Sequence, residues 1–151
     1  MTEEALHATS KSQQMDDLVG TWNLLSCFME DIRTKERKNV WGEKPNGRLT
    51  LTPAGDWVVV QTAQARKIPR SDEERSAAFR SMLAYAGKYR VEDDKIVIKV
   101  DIAWDEGWTG TEQVRFFRIA DDRLHIEAAP QRYPNLGDGV MRAVLIWQRV
   151  S

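Results

Sequence analysis

Few residues of this 151-residue chain are of types that do chemistry. Arg115 stands in the alternation Gln113-Val114-Arg115-Phe116, with Phe117 and Ile119 continuing the Gln113/Arg115 face. That face has one polar and one apolar end, so alternation leaves its direction open. An inward guanidinium needs a carboxylate partner or an anionic ligand, because an unpaired buried charge is costly. Asp101, Glu112 and Glu127 are the acids that could pair with it. Asp101 and Glu127 are also candidate general bases, with Arg115 or a tyrosine holding a developing oxyanion. Apolar surroundings would raise a carboxylate into a useful range. Simple alternation, however, places both acids outside.

Aromatic residues are the second candidate set. Six tryptophans in 151 residues either fill a core or line a pocket for a flat ligand. Trp41 precedes Gly42 and Trp108 follows Gly107, so both border turns, where a barrel mouth would lie. Trp104 shares a face with the apolar run Ile96, Ile98, Val100 and Ile102. With Tyr85, Tyr89 and Trp147 these residues make a candidate ligand lining, to which Gln113 and Arg115 add polar anchors. His125 lies between Leu124 and Ile126 and so faces outward, and His7 lies in the first fifteen residues. Two histidines and the single Cys27 exclude an internal disulfide and a Cys/His zinc site, so no metal and no cofactor is expected. No phosphate loop, nucleotide fingerprint or nucleophile elbow is present.

Composition narrows the class. Forty-two per cent hydrophobic against 30% charged residues suits one globular domain with a core. A net charge of -1 argues against a nucleic-acid or anionic-membrane surface. The first fifteen residues are polar, and no apolar stretch approaches the roughly 20 residues of a membrane span. The expected compartment is the cytoplasm, and the expected partner a small molecule, with a homodimer left open.

The elements that would position these residues are strands. Residues 1–15 read as a flexible tail and 16–151 as one domain, entered by a helical turn at Met15, Leu18 and Val19. Trp22, Leu24, Ser26 and Phe28 share a face of the first strand. Pro45-Asn46-Gly47 and Pro53-Ala54-Gly55-Asp56 are hairpin turns flanking Arg48–Thr52 and Trp57–Gln64. Ser71 and Glu74 form a capping box, and the stripe Ala78, Phe79, Met82, Leu83, Ala86 predicts an amphipathic helix over Ser71 to Ala86, stopped by Gly87. Strands resume at Lys88–Val91, Ile96–Trp104, Thr111–Ile119, Arg123–Ala129 and Met141–Val150, broken at Asp121-Asp122 and Pro134–Gly139. Eight or nine short strands and one inserted helix predict an all-β, antiparallel barrel. In such a closure Trp22 of Gly20-Thr21-Trp22 plugs the base beneath Arg149.

Leu18-Val19-Gly20-Thr21-Trp22-Asn23-Leu24 resembles the opening of the bacterial and fungal lipocalin-like domain family. Asn46-Gly47-Arg48-Leu49, Thr52-Pro53-Ala54-Gly55 and Tyr85-Ala86-Gly87-Lys88-Tyr89 are similar too. So are Trp108-Thr109-Gly110-Thr111-Glu112-Gln113-Val114-Arg115 and Leu145-Ile146-Trp147-Gln148-Arg149, in order from about Leu18 to Val150. The resemblance implies a calycin-type barrel with a central cavity, and some lipocalin-like relatives are cyclases or isomerases. Family members often carry histidine where this chain has Ile98 or Lys99, and isoleucine cannot shuttle protons. Three readings follow: a binder of a small apolar or aromatic molecule, such as an organic acid; a cofactor-independent isomerase, cyclase or lyase; and a structural or dimerising module.

Overall fold

Turn chemistry sets the order of the strands. Strands β7 (Glu112–Ala120) and β8 (Arg123–Ala128) are joined by Asp121 and Asp122, both at positive φ (52° and 61°), as a two-residue hairpin of matching twist requires. Asp93, at φ 56°, turns β5 (Met82–Glu92) into β6 (Lys95–Ala103). Gly55, at φ 93°, turns β3 (Asn46–Leu51) into β4 (Asp56–Thr62). These three tight turns lie at one end, the base. The other end, the mouth, carries the longer connections.

The computed structural model describes residues 13–133 and 139–150. Helix α1 covers residues 13–18, with Val19 N–H donating to the Met15 carbonyl, as the helical turn at Met15 predicts. Most of the tail assigned to residues 1–15, with His7, lies outside the described residues, as does most of the break at Pro134–Gly139. From β1 (Gly20–Asp31) the sheet runs through β3, β4, β5, β6, β7 and β8 to β10 (Val140–Arg149). Pairing of β10 with β1 closes an eight-strand antiparallel barrel and leaves none of its main strands with a free edge. Two-residue strands β2 (Arg37–Lys38) and β9 (Gln131–Arg132) extend β1 and β10 at the mouth.

The core is the barrel interior. Trp22 is fully buried at the base, its indole N–H donating to the Leu18 carbonyl at 3.0 Å. Arg149 sits 4.1 Å above the ring centroid and donates to the carbonyls of Val19 and Asp17. Leu49, Leu51, Ile96, Ile98, Val100 and Leu124 fill the space above it.

Two bulges and one helix end depart from the sequence reading. In β1 the pairing with β10 slips at Leu25, an extra residue. Trp22 and Leu24 face inward as expected, but beyond the bulge Cys27 and Met29 take the inner face, and Ser26 and Phe28 turn outward. In β6, Ala86 pairs with Ile102 and Gly87 with Val100, so Asp101 is the extra residue. Ile102 is therefore 68% exposed rather than part of the inner wall. Gly87 permits this approach, since a Cβ there would lie 1.9 Å from the Lys99 carbonyl oxygen. Helix α2 (Asp72–Arg80) starts on the predicted cap, Ser71 Oγ accepting from Glu74 N–H at 3.1 Å, but it ends at Arg80 rather than Ala86. Met82, Leu83 and Ala86 belong to β5, whose ladder with β4 begins at Thr62 and Met82. Tyr85 and Gly87 alternate inward there, so strand pairing wins over the helical stripe.

Candidate functional site

Inside the barrel, between the packed base and the mouth, lies a cavity of about 60 Å³. Strand alternation delivers its walls. β4 contributes Trp57, Val59 and Gln61 at every second residue. β5 contributes Leu83 and Tyr85, and β10 contributes Ala143, Leu145 and Trp147. The β1 bulge delivers Cys27 and Met29, and β8 supplies Ile126 and Ala128. Trp41 and Tyr133 come from the mouth connections. Trp108 comes from a single 3-10 turn, Glu106–Trp108, capped by the Asp105 carboxylate accepting from Gly107 N–H at 2.9 Å.

Arg115 supplies the cavity's positive charge. It is 6% exposed, with its guanidinium 6.0 Å from the ring centroids of both Tyr85 and Trp108. It donates to the Val114 carbonyl at 3.1 Å and to the Tyr85 hydroxyl at 3.3 Å. A guanidinium has five N–H donors, and no carboxylate among the described residues takes any of these. The acids that could have paired with it are engaged or distant. Glu112 pairs with Arg90, Glu127 with Arg142, and Asp101 stands exposed on the outer face.

The other polar groups here are neutral. Burial pushes the Cys27 thiol up to about 12, partly offset by the Gln61 amide donating to its sulfur at 3.7 Å. Burial also raises Tyr133, against the opposing pull of the Arg115 charge and of the Gln131 amide on its hydroxyl. Trp57 and Trp147 keep buried indole N–H groups with no partner among the described residues.

A second space of about 190 Å³ lies outside the first, between α2 and the β6–β7 connection. Phe79, Arg80, Trp104 and Asp105 line it, and it shares Leu83, Trp108 and Tyr133 with the cavity.

Compared with known proteins, the model of the lipocalin-like domain matches residues 19–150. The chain belongs to the lipocalin-like domain family. No curated protein sequence matches it. Among solved structures, one described as the REP1-NXSQ fatty acid transporter is similar at 9% identity and a TM-score of 0.41. That match covers 90% of this chain and 98% of the transporter.

In this lipocalin-like barrel, Trp41, Tyr85, Trp108, Arg115 and Trp147 meet at one cavity, as grouped from the sequence. Arg115 and Gln113 face inward, which alternation had left open. Gln113 is buried but does not line the cavity, its amide donating to Thr111 Oγ1 at 3.0 Å. Trp104 lines the outer space, not the cavity, because the Asp101 bulge reverses its face. Tyr89 and Ile98 are buried nearer the base, with the Tyr89 hydroxyl donating to the Thr52 carbonyl at 3.2 Å. Asp101 and Glu127 lie outside, so neither proposed base reaches the cavity. His125 is also on the outer surface, beside Arg118.

Most of the aliphatic cavity residues, and four polar or aromatic ones, Trp57, Gln61, Cys27 and Tyr133, were not singled out as ligand contacts from the sequence. Trp57 and Gln61 carried a signal, since they alternate with Val58 and Val60. Cys27 was hidden by the bulge. Tyr133 lies in an aperiodic stretch that carried none. Among the described residues, no cluster of His, Cys, Asp or Glu could hold a metal, and no helix is long and apolar enough to cross a membrane.

Proposed function

We propose that this lipocalin-like barrel binds a small apolar or aromatic organic acid, with its carboxylate at Arg115. The observation that carries this reading is a guanidinium buried in an apolar, aromatic wall with no carboxylate partner among the described residues. Burying a charge without its counter-ion is costly, and a ligand carboxylate removes that cost. Apolar burial supplies most of the affinity, and the charge-assisted bond supplies orientation and the choice of acid over neutral analogue.

Turnover has less support. The two acids that would serve as bases lie outside, and the thiol and phenol with raised pKa values, Cys27 and Tyr133, stay neutral near pH 7. The binding reading therefore stands alone here.

Isothermal titration of aromatic carboxylates and their matched amides against wild type and Arg115→Leu tests the reading. The expected result is a loss of about ten- to a hundredfold in the acid-to-amide affinity ratio, the worth of a hydrogen bond to a charged group. An unchanged ratio refutes the anchor and leaves an apolar pocket without charge selectivity.

A further inference from the structure

The interior cavity is too small to hold a whole amphipathic ligand. Its volume of about 60 Å³ contrasts with the roughly 300–1,000 Å³ of sites that enclose drug-sized molecules. The larger outer space of about 190 Å³ lies against it, with Leu83, Trp108 and Tyr133 lining both. A row of aromatic rings joins the two. Tyr85 and Trp108 stand 5.3 Å apart, Trp108 and Trp104 5.2 Å, and Trp104 and Phe79 6.2 Å. Buried Tyr85 carries the hydroxyl that Arg115 meets, and Phe79 at the other end is 47% exposed.

The cover over the outer space is light. Phe79 belongs to α2, which buries none of its residues. The helix is held at its carboxyl end by Arg66, which donates to the Ala78 carbonyl and to Ser81 Oγ. A helix without a buried face can shift with little loss of packing.

We infer that the outer space is a second subsite, taking the aromatic or apolar tail of an elongated monocarboxylic acid whose head is at Arg115. The ligand lies head inward along the Tyr85, Trp108, Trp104 row, and Phe79 closes over its tail. This rests on the Arg115 anchor and adds the ligand's length and direction. Flat rings favour an aromatic tail, through offset or edge contacts at the separations that the row already shows. A compact acid fills only the inner cavity and leaves the aromatic mouth unused.

The test is titration calorimetry of the whole chain with ω-phenylalkanoates, from phenylacetate to phenyloctanoate, repeated on Phe79→Ala and Trp104→Leu. Wild-type affinity should rise along the series and gain further where the phenyl ring reaches the outer space. Each substitution should lower the affinity ratio of the longest to the shortest acid by about three- to tenfold, the worth of one aromatic contact. Phenylacetate binding with no gain for longer acids, or a ratio unmoved by both substitutions, overturns the second subsite and leaves the anchor intact. Failure of every acid to bind overturns both.

Discussion

Each end of the barrel sets an arginine against a tryptophan, and the two pairs differ in what remains unspent. At the base, Arg149 lies 4.1 Å over Trp22, and its donors close onto the Val19 and Asp17 carbonyls. Toward the mouth, Arg115 stands 6.0 Å from Trp108 and Tyr85, bonded to one carbonyl and one hydroxyl, with no acid partner among the described residues. The base pair is a finished structure, its polar atoms served by the chain's own backbone and by the Asp122 carboxylate, 3.7 Å from Arg149 Nε. The mouth-side pair is a site, because a buried cation keeps capacity that only an occupant can use. Connection length follows the same division. Short turns pin the base, whereas the mouth has long segments and a helix without a buried face.

The largest effect should come from the base. Trp22→Ala removes a fully buried indole and should cost about 3–5 kcal/mol. For a chain this size each kcal/mol moves Tm by roughly 2–4 °C, so a calorimetric melt falling only a few degrees would contradict the plug.

Cys27 probes the mouth by rate. Its thiol is pushed up to about 12 from 9.0, so little thiolate forms in the closed cavity. Alkylation by iodoacetamide near pH 8 should run about a thousandfold slower than in the denatured chain, in proportion to thiolate. A bound acid should slow it further. Labelling at the denatured rate would mean that the cavity stands open.

The two arginines give the third contrast. Arg149→Leu loses a close cation–π contact and charged hydrogen bonds, and should cost about 1–3 kcal/mol. Arg115→Leu removes an uncompensated buried charge, so its stability should stay within about 1 kcal/mol of wild type or rise. Equal losses in both melts would erase the distinction.

The base was more legible in the sequence than the site. Gly20-Thr21-Trp22, the Asp121-Asp122 turn and the Pro53–Asp56 turn are local signals, and local geometry fulfils them. The site depends on features without a local signature. The extra residues at Leu25 and Asp101 each reverse the inner face for the rest of a strand, and neither residue type announces it. That is why Cys27 was missed and Ile102 misplaced. The helical stripe from Ala78 to Ala86 was ambiguous because Leu83 and Tyr85 also alternate as strand residues. Arg115 was named, but its direction depended on β7 pairing with β6 and β8, which no local pattern records.

The smallest effect is read at the mouth, by pH. Near the mouth, β1 is held by Glu30, buried between Arg37 at 2.9 Å and Arg142 at 2.5 Å. Hydrogen bonds from Arg37 and then Arg142 hold its carboxyl below the ordinary 4.5, outweighing its own burial. As pH falls past 4.5 the unfolded chain takes up a proton that folded Glu30 still refuses. The unfolded state then binds more protons, so stability declines with falling pH until folded Glu30 is also protonated. This contribution is fully present at neutral pH and is lost only on the acid side. At the base, Arg149 meets only the exposed Asp122 carboxylate, at 3.7 Å, and the acid held low there is Asp56, by hydrogen bonds from Lys88 and then Thr52. Melting wild type and Glu30→Gln between about pH 7 and pH 3 isolates the Glu30 contribution, since the wild-type curve should drop toward the variant's as the acid limit is approached. A constant gap between the two curves would mean that Glu30 acts at the mouth by shape rather than charge.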